Sequence, residues 1–148
     1  MTVTPAQVAA LRAALSGDED AFDRLSSDPD VAGSEGFPIL MAAAFVAAAQ
    51  RRFPPGWSRG DVVRFVGHLR ARGEGALEDL SATAAEQMLV SILRGELMDG
   101  QFDDFVKGYA QFALLAELVR DRSEQGLSTF LAESREQADA WLAQHSDQ

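Results

Sequence analysis

The chain has 148 residues, 47% of them hydrophobic and 24% charged, with a formal net charge of −10 and no cysteine. That size suits one domain with its own core, and the missing cysteine excludes disulfides, thiolate metal ligands and cysteine nucleophiles. The excess of acid disfavours nucleic acid and anionic membrane as partners at long range.

The opening Met1-Thr2-Val3-Thr4-Pro5 lacks the basic and then apolar runs of a secretory signal. The longest apolar run, Phe37 to Ala49, spans 13 residues and contains Pro38, short of the roughly 20 needed to cross a bilayer. A cytoplasmic protein with residues 1–4 and 145–148 frayed is expected. Alanine, leucine, glutamate, glutamine and arginine dominate, all helix formers, and no stretch alternates long enough to predict a strand.

The first helix starts at a Thr4 cap with Pro5 in its first position. It carries Val8, Leu11 and Leu15 on one face and stops at Gly17. Asp18-Glu19-Asp20 opens a short second helix whose acids complement the N-terminal dipole, with Phe22 and Leu25 inward. Ser27 to Gly36, with its Asp-Pro and glycines, reads as a loop. A third helix over about 38–52 is apolar all round until Gln50-Arg51-Arg52, as for a helix surrounded by others. Phe53-Pro54-Pro55-Gly56-Trp57 is a stiff turn.

Ser58 with Asp61 three residues on predicts a capping box, Asp standing in for the usual Glu. The fourth helix then stripes Val62, Phe65, Val66 and Leu69 and ends at Gly73-Glu74-Gly75. A fifth, about 83–98, starts at a second capping box of Thr83 and Glu86 and carries Met88, Leu89, Ile92, Leu93 and Leu97. Asp99-Gly100 breaks the chain. The sixth, about 101–123, presents Phe102, Phe105, Val106, Tyr109, Phe112, Ala113 and Ala116. Leu114, Leu115 and Leu118 lie off that face, which predicts either a central helix or a homodimer interface. Gly126 marks the break before a seventh helix over about 128–144, with Phe130, Leu131, Ala138, Trp141 and Leu142 inward. The expectation is an all-α, single-domain bundle of six or seven helices spanning 1–148.

No constellation for catalysis, metal or phosphate is present. His68 has cationic neighbours and His145 no partner at ligand spacing; the clusters Asp18–Asp23 and Asp99–Asp104 do not follow the calcium-loop pattern. No glutamate precedes either histidine by three residues, as a di-iron bundle requires. Neither Gly-x-x-x-x-Gly-Lys-Ser/Thr, Gly-x-Gly-x-x-Gly nor Gly-x-Ser-x-Gly occurs. No cofactor is expected.

The charge is unevenly spread. Residues 1–50 carry −5 and residues 73–148 carry −10, whereas residues 51–72 set Arg51, Arg52, Arg59, Arg64, Arg70 and Arg72 against Asp61 alone, a net +5. Arg64, His68 and Arg72 recur at i, i+4 and i+8, one row along the polar face of the fourth helix, with Trp57 beside it. Tryptophan and arginine are the residues most enriched at binding hot spots. Two arrangements fit: the arginines pair with the acidic fifth to seventh helices of the same fold, or they form an exposed face for a partner.

The stretch Arg51-Arg52-Phe53-Pro54-Pro55-Gly56-Trp57-Ser58 through Val62-Val63-Arg64-Phe65-Val66 resembles small all-helical actinobacterial proteins of unassigned function. So do Leu80 to Leu93 around Ala85-Glu86, the leucine-rich helix after it, and Phe130-Leu131-Ala132-Glu133. The resemblance covers about 40–143 and implies no activity. It agrees with 25 alanines and 12 arginines against one lysine, Lys107, the mark of a GC-rich coding sequence.

These features predict a binding module rather than an enzyme. Its candidate face is Arg51, Arg52, Trp57, Arg59, Arg64, His68 and Arg72, and its partner an acidic protein or a second copy. A small enzyme or ligand carrier with an apolar inter-helix pocket is the alternative. A helix-turn-helix-like nucleic-acid binder ranks last, because the turn is long and the overall charge opposes phosphate.

Overall fold

The computed structural model describes residues 2–29, 31, 36–72, 82–95, 104–120 and 122–146. Among them all regular structure is α-helical, in seven helices: α1 Pro5–Leu15, α2 Glu19–Ser26, α3 Gly36–Arg52, α4 Arg59–Arg72, α5 Ala82–Arg94, α6 Asp104–Leu118 and α7 Glu124–Ser146. The chain divides into two compact units, Met1–Ala47 with Val119–Gln148, and Ala48–Leu118, so the division falls inside α3.

The first unit is organised around α1, which packs on α2 and α7. The Thr4 hydroxyl accepts from the Gln7 N–H at 3.2 Å, and the Gln7 side-chain oxygen accepts from the Thr4 N–H at 3.0 Å. This reciprocal cap satisfies two otherwise orphaned donors, and Pro5 at the first position has no N–H to lose. Ala10, Leu11 and Ala13 are buried on α1, and α7 buries Leu127, Phe130, Leu131, Ser134, Ala138 and Leu142 at helical spacing. The buried Ser134 hydroxyl donates to the Phe130 carbonyl at 2.9 Å, so it carries no unmet polar cost.

Val3 is fully buried and its N–H donates to Asp139 Oδ1 at 2.6 Å. The fraying expected of residues 1–4 therefore does not extend to Val3 and Thr4, and α7 continues through Ser146. Asp18 caps α2 by accepting from the Ala21 N–H at 3.2 Å, a structural use for part of the acidic run 18–23. Phe22 and Leu25 are half-buried there.

Several boundaries differ from expectation for local reasons. The α3 helix starts at Gly36 instead of 38. The Ser123 hydroxyl accepts from the Gly126 N–H at 3.0 Å, so α7 starts at Glu124 and Gly126 lies in its first turn instead of marking a break. Thr83 lies inside α5, which begins at Ala82, and Gly95, at φ 69°, closes that helix ahead of the expected 98. The α6 helix stops at Leu118 instead of 123. The expected stops at Gly73–Gly75 and Asp99–Gly100, Leu97 and Phe102, and the side chains of Phe105, Val106, Tyr109 and His145 lie outside the described residues.

In the second unit α4 packs on α5 and α5 on α6. The predicted α4 stripe holds, with Val62, Val66 and Leu69 buried and Phe65 half-buried; α5 contributes Ala84, Ala85, Met88, Leu89 and Val90. Leu114 and Leu115 of α6 are both fully buried within the chain. The choice left open by their off-face position is thereby decided for these two, which are interior, while Leu118, the third leucine behind the homodimer expectation, is half-buried.

Two glycines should respond oppositely to alanine. A Cβ on Gly36 would fall 2.8 and 2.9 Å from the terminal atoms of the Gln7 side chain, which is itself only 1% exposed and closes the α1 cap. Gly36→Ala should lower stability by about 1–2 kcal/mol in denaturant unfolding, through a displaced cap and buried amide. A Cβ on Gly67, exposed within α4, would meet nothing within 4 Å, so Gly67→Ala should raise stability by up to about 1 kcal/mol. An unchanged midpoint for Gly36→Ala would show that the Gln7 amide is not confined as described.

Candidate functional site

The six residues that join α3 to α4 form two successive devices. Pro54 to Trp57 is a turn closed by the Trp57 N–H donating to the Pro54 carbonyl at 3.1 Å. Pro55 supplies the fixed φ of the second position, and Gly56, at φ 99°, occupies the third, where a side chain would be strained. Ser58 then caps α4. Its N–H donates to Asp61 Oδ2 at 3.0 Å, and its hydroxyl accepts from the Asp61 N–H at 3.2 Å. The capping box expected from Ser58 and Asp61 is thus present, with the shorter carboxylate in the glutamate position.

This connection and one side of α4 enclose a cleft of about 470 Å³ lined by Arg52, Phe53, Pro54, Pro55, Gly56, Trp57, Asp61, Arg64, Phe65 and His68. Its apolar floor is the Phe53–Phe65 pair, edge to face with ring centroids 5.5 Å apart and planes at 87°, the arrangement the ring quadrupoles favour. Phe53 is buried, and Phe65 and Trp57 are half-buried. The Arg52 guanidinium sits over both rings, 5.0 Å from the Phe53 centroid and 5.4 Å from that of Phe65, within cation–π range. Arg64 donates to Asp61 from one turn along α4, while its side chain stays 71% exposed.

Four residues expected on the basic face therefore meet in one cleft: Arg52, Trp57, Arg64 and His68. Arg51 and Arg59 are exposed but do not line it, and the Arg72 side chain lies outside the described residues. Arg52, Arg59, Arg64, His68 and Arg70 are all exposed. Among the described residues the guanidiniums of Arg52, Arg59 and Arg70 meet no carboxylate; Arg64 pairs with Asp61, the one acid of its own segment. Phe53, Phe65, the prolines and Asp61 were not expected in the site. For Phe65 the signal was its position on α4, three residues before His68 and one after Arg64, which sets it at the edge of the buried stripe beside the basic row.

Among the described residues Asp61 is the only acid in the cleft. The Ser58 backbone N–H, and after it the Arg64 side chain, hold its carboxyl below the ordinary value of 3.8. Its charge thus balances that of Arg64, and among the described residues the charge of Arg52 is left without a carboxylate. Among the described residues no group of three or more His, Asp or Glu is placed to hold a metal, and no helix is long and apolar enough to cross a membrane. Comparisons with known family models, curated proteins and solved structures return no match.

The cap has a pH signature. A carboxylate whose folded pKa is depressed stabilises the fold above its unfolded value and loses that contribution as pH falls through the folded one. The gap in melting temperature between the wild type and Asp61→Ala should be full at pH 7 and close as pH drops below about 4. Ser58→Ala, which removes the hydroxyl acceptor, should cost about 1 kcal/mol at neutral pH.

Proposed function

We propose that this protein is a binding module that takes an acidic partner protein in the Arg52–Trp57–Arg64–His68 cleft. The observation that carries the reading is the meeting of two arginines and a histidine with three aromatic side chains in one concavity of a chain whose net charge is −10. Aromatic and arginine side chains in a depression are the composition of binding hot spots. A local basic surface on an acidic molecule selects partners by charge more than it adds raw affinity. The missing catalytic and metal motifs point the same way. A second reading, carriage of a small anionic ligand, is favoured by the cavity's size, which falls within the range of about 300–1,000 Å³ usual for ligand pockets.

Trp57 reports on its own cleft once the only other tryptophan, Trp141, is replaced by phenylalanine. In that background, poly-L-glutamate at low salt should change Trp57 emission, and added salt should weaken the response. The double variant Arg52→Glu, Arg64→Glu should bind at least about tenfold more weakly with unchanged far-ultraviolet circular dichroism, since like charges then face each other across the interface. Duplex DNA should give no response. A response to DNA with none to polyglutamate would overturn the reading.

A further inference from the structure

The cleft combines its charge and its apolar floor at close range, and this restricts what can fill it. The Arg52 guanidinium lies about 5 Å from the rings it covers. An anion bound to Arg52 therefore sits immediately beside the opening over Phe65 and Trp57. Arg64 is already balanced by Asp61, so among the described residues the unmatched charge of the cleft is that of Arg52, and one carboxylate completes it. A purely acidic segment would leave the aromatic floor in water. A purely apolar one would bury the guanidinium without a partner, which is costly.

We infer that the occupant is a short extended segment of the partner in which a carboxylate and a large apolar side chain stand at alternate positions, acid–x–apolar. This inference rests on the binding-module reading. In an extended chain, residues i and i+2 point to the same side, roughly 7 Å apart, and residues i and i+1 point to opposite sides. Alternate spacing lets the carboxylate reach Arg52 while the apolar group lies on Phe65 beside Trp57. Adjacent spacing turns one of the two away from the cleft. The volume of about 470 Å³ exceeds one large side chain and leaves room for the backbone that carries it. Arg64 and His68, one turn apart on α4, offer donors to that backbone's carbonyls.

Three capped peptides test this by Trp57 emission and calorimetry in the Trp141→Phe background, at up to millimolar concentration. They are Gly-Ser-Glu-Ser-Phe-Ser-Gly, its adjacent isomer Gly-Ser-Glu-Phe-Ser-Ser-Gly, and Gly-Ser-Glu-Ser-Ser-Ser-Gly. The first should bind roughly tenfold or more tightly than the third, the gain expected for burying one phenylalanine, and severalfold more tightly than the second. Arg52→Glu should abolish the binding, and Trp57→Ser should erase the preference for phenylalanine, with circular dichroism confirming that both variants are folded. Equal affinity for the first and third peptides, or for the first and second, overturns the inference and leaves the acidic-partner reading standing. So does a response to polyglutamate with none to any peptide. If polyglutamate also fails, both fall. Phenylacetate binding as tightly as the first peptide assigns the cleft to a small anion and overturns the inference.

Discussion

The Asp61 carboxylate is the constraint on which the cleft depends. One oxygen accepts from the Ser58 N–H, the other from Arg64, so a single short side chain closes the start of α4 and fixes the first arginine of its basic row. Glutamate, the usual residue in this part of a capping box, has one more rotatable bond to immobilise. With aspartate the acceptor stays near the helix end, within reach of a side chain one turn along. The direction in which α4 leaves the Pro-Pro-Gly turn is tied to the same bonds. The helix so started carries Phe65 to its edge-on contact with Phe53.

The aromatic floor gives the arginine at the end of α3 a second role. The C-terminus of a helix favours cations through its dipole, and Arg51 and Arg52 both satisfy that preference. Arg52 also continues over two aromatic rings. Stacking there spreads a weakly hydrated guanidinium on an apolar surface without removing its charge from solvent. It also restricts the side chain before any partner arrives, which lowers the ordering cost of binding. Arg59 and Arg70, equally charged and exposed on α4, have no ring contact among the described residues.

Much of the helical architecture is legible in the sequence, because caps and periodicity act locally. Thr4, Asp18 and Ser58 each start a helix where their side-chain oxygens suggest. The failures are also local. Thr83 looked like a cap but lies one residue inside α5, and Gly126 looked like a breaker but sits in a first turn held by Ser123. Glycine weakens a helix by only about 1 kcal/mol, which one good cap offsets. The basic segment was legible from charge alone, and Trp57 from its neighbourhood. That Phe53 and Phe65 belong to the site was not, since an apolar residue at the edge of a stripe has the same pattern whether it faces a core or a cleft. Nor could periodicity decide whether Leu114 and Leu115 were inner or outer, because that depends on what surrounds the helix.

The division of the chain inside α3 bears on the order of assembly. Residues 48–118 form one unit from one uninterrupted stretch. The other unit is split: the amide of Val3 waits for Asp139, 136 positions on, and the part of α1 that packs on α7 stays uncovered until α7 is made. On a ribosome, the stretch that bears the cleft emerges whole before α7, which α1 packs against. The chain carries an apolar helix, α3, across that interval. Contacts of such long sequence separation form slowly, so the closing of α7 over α1 is the step most exposed to misassembly.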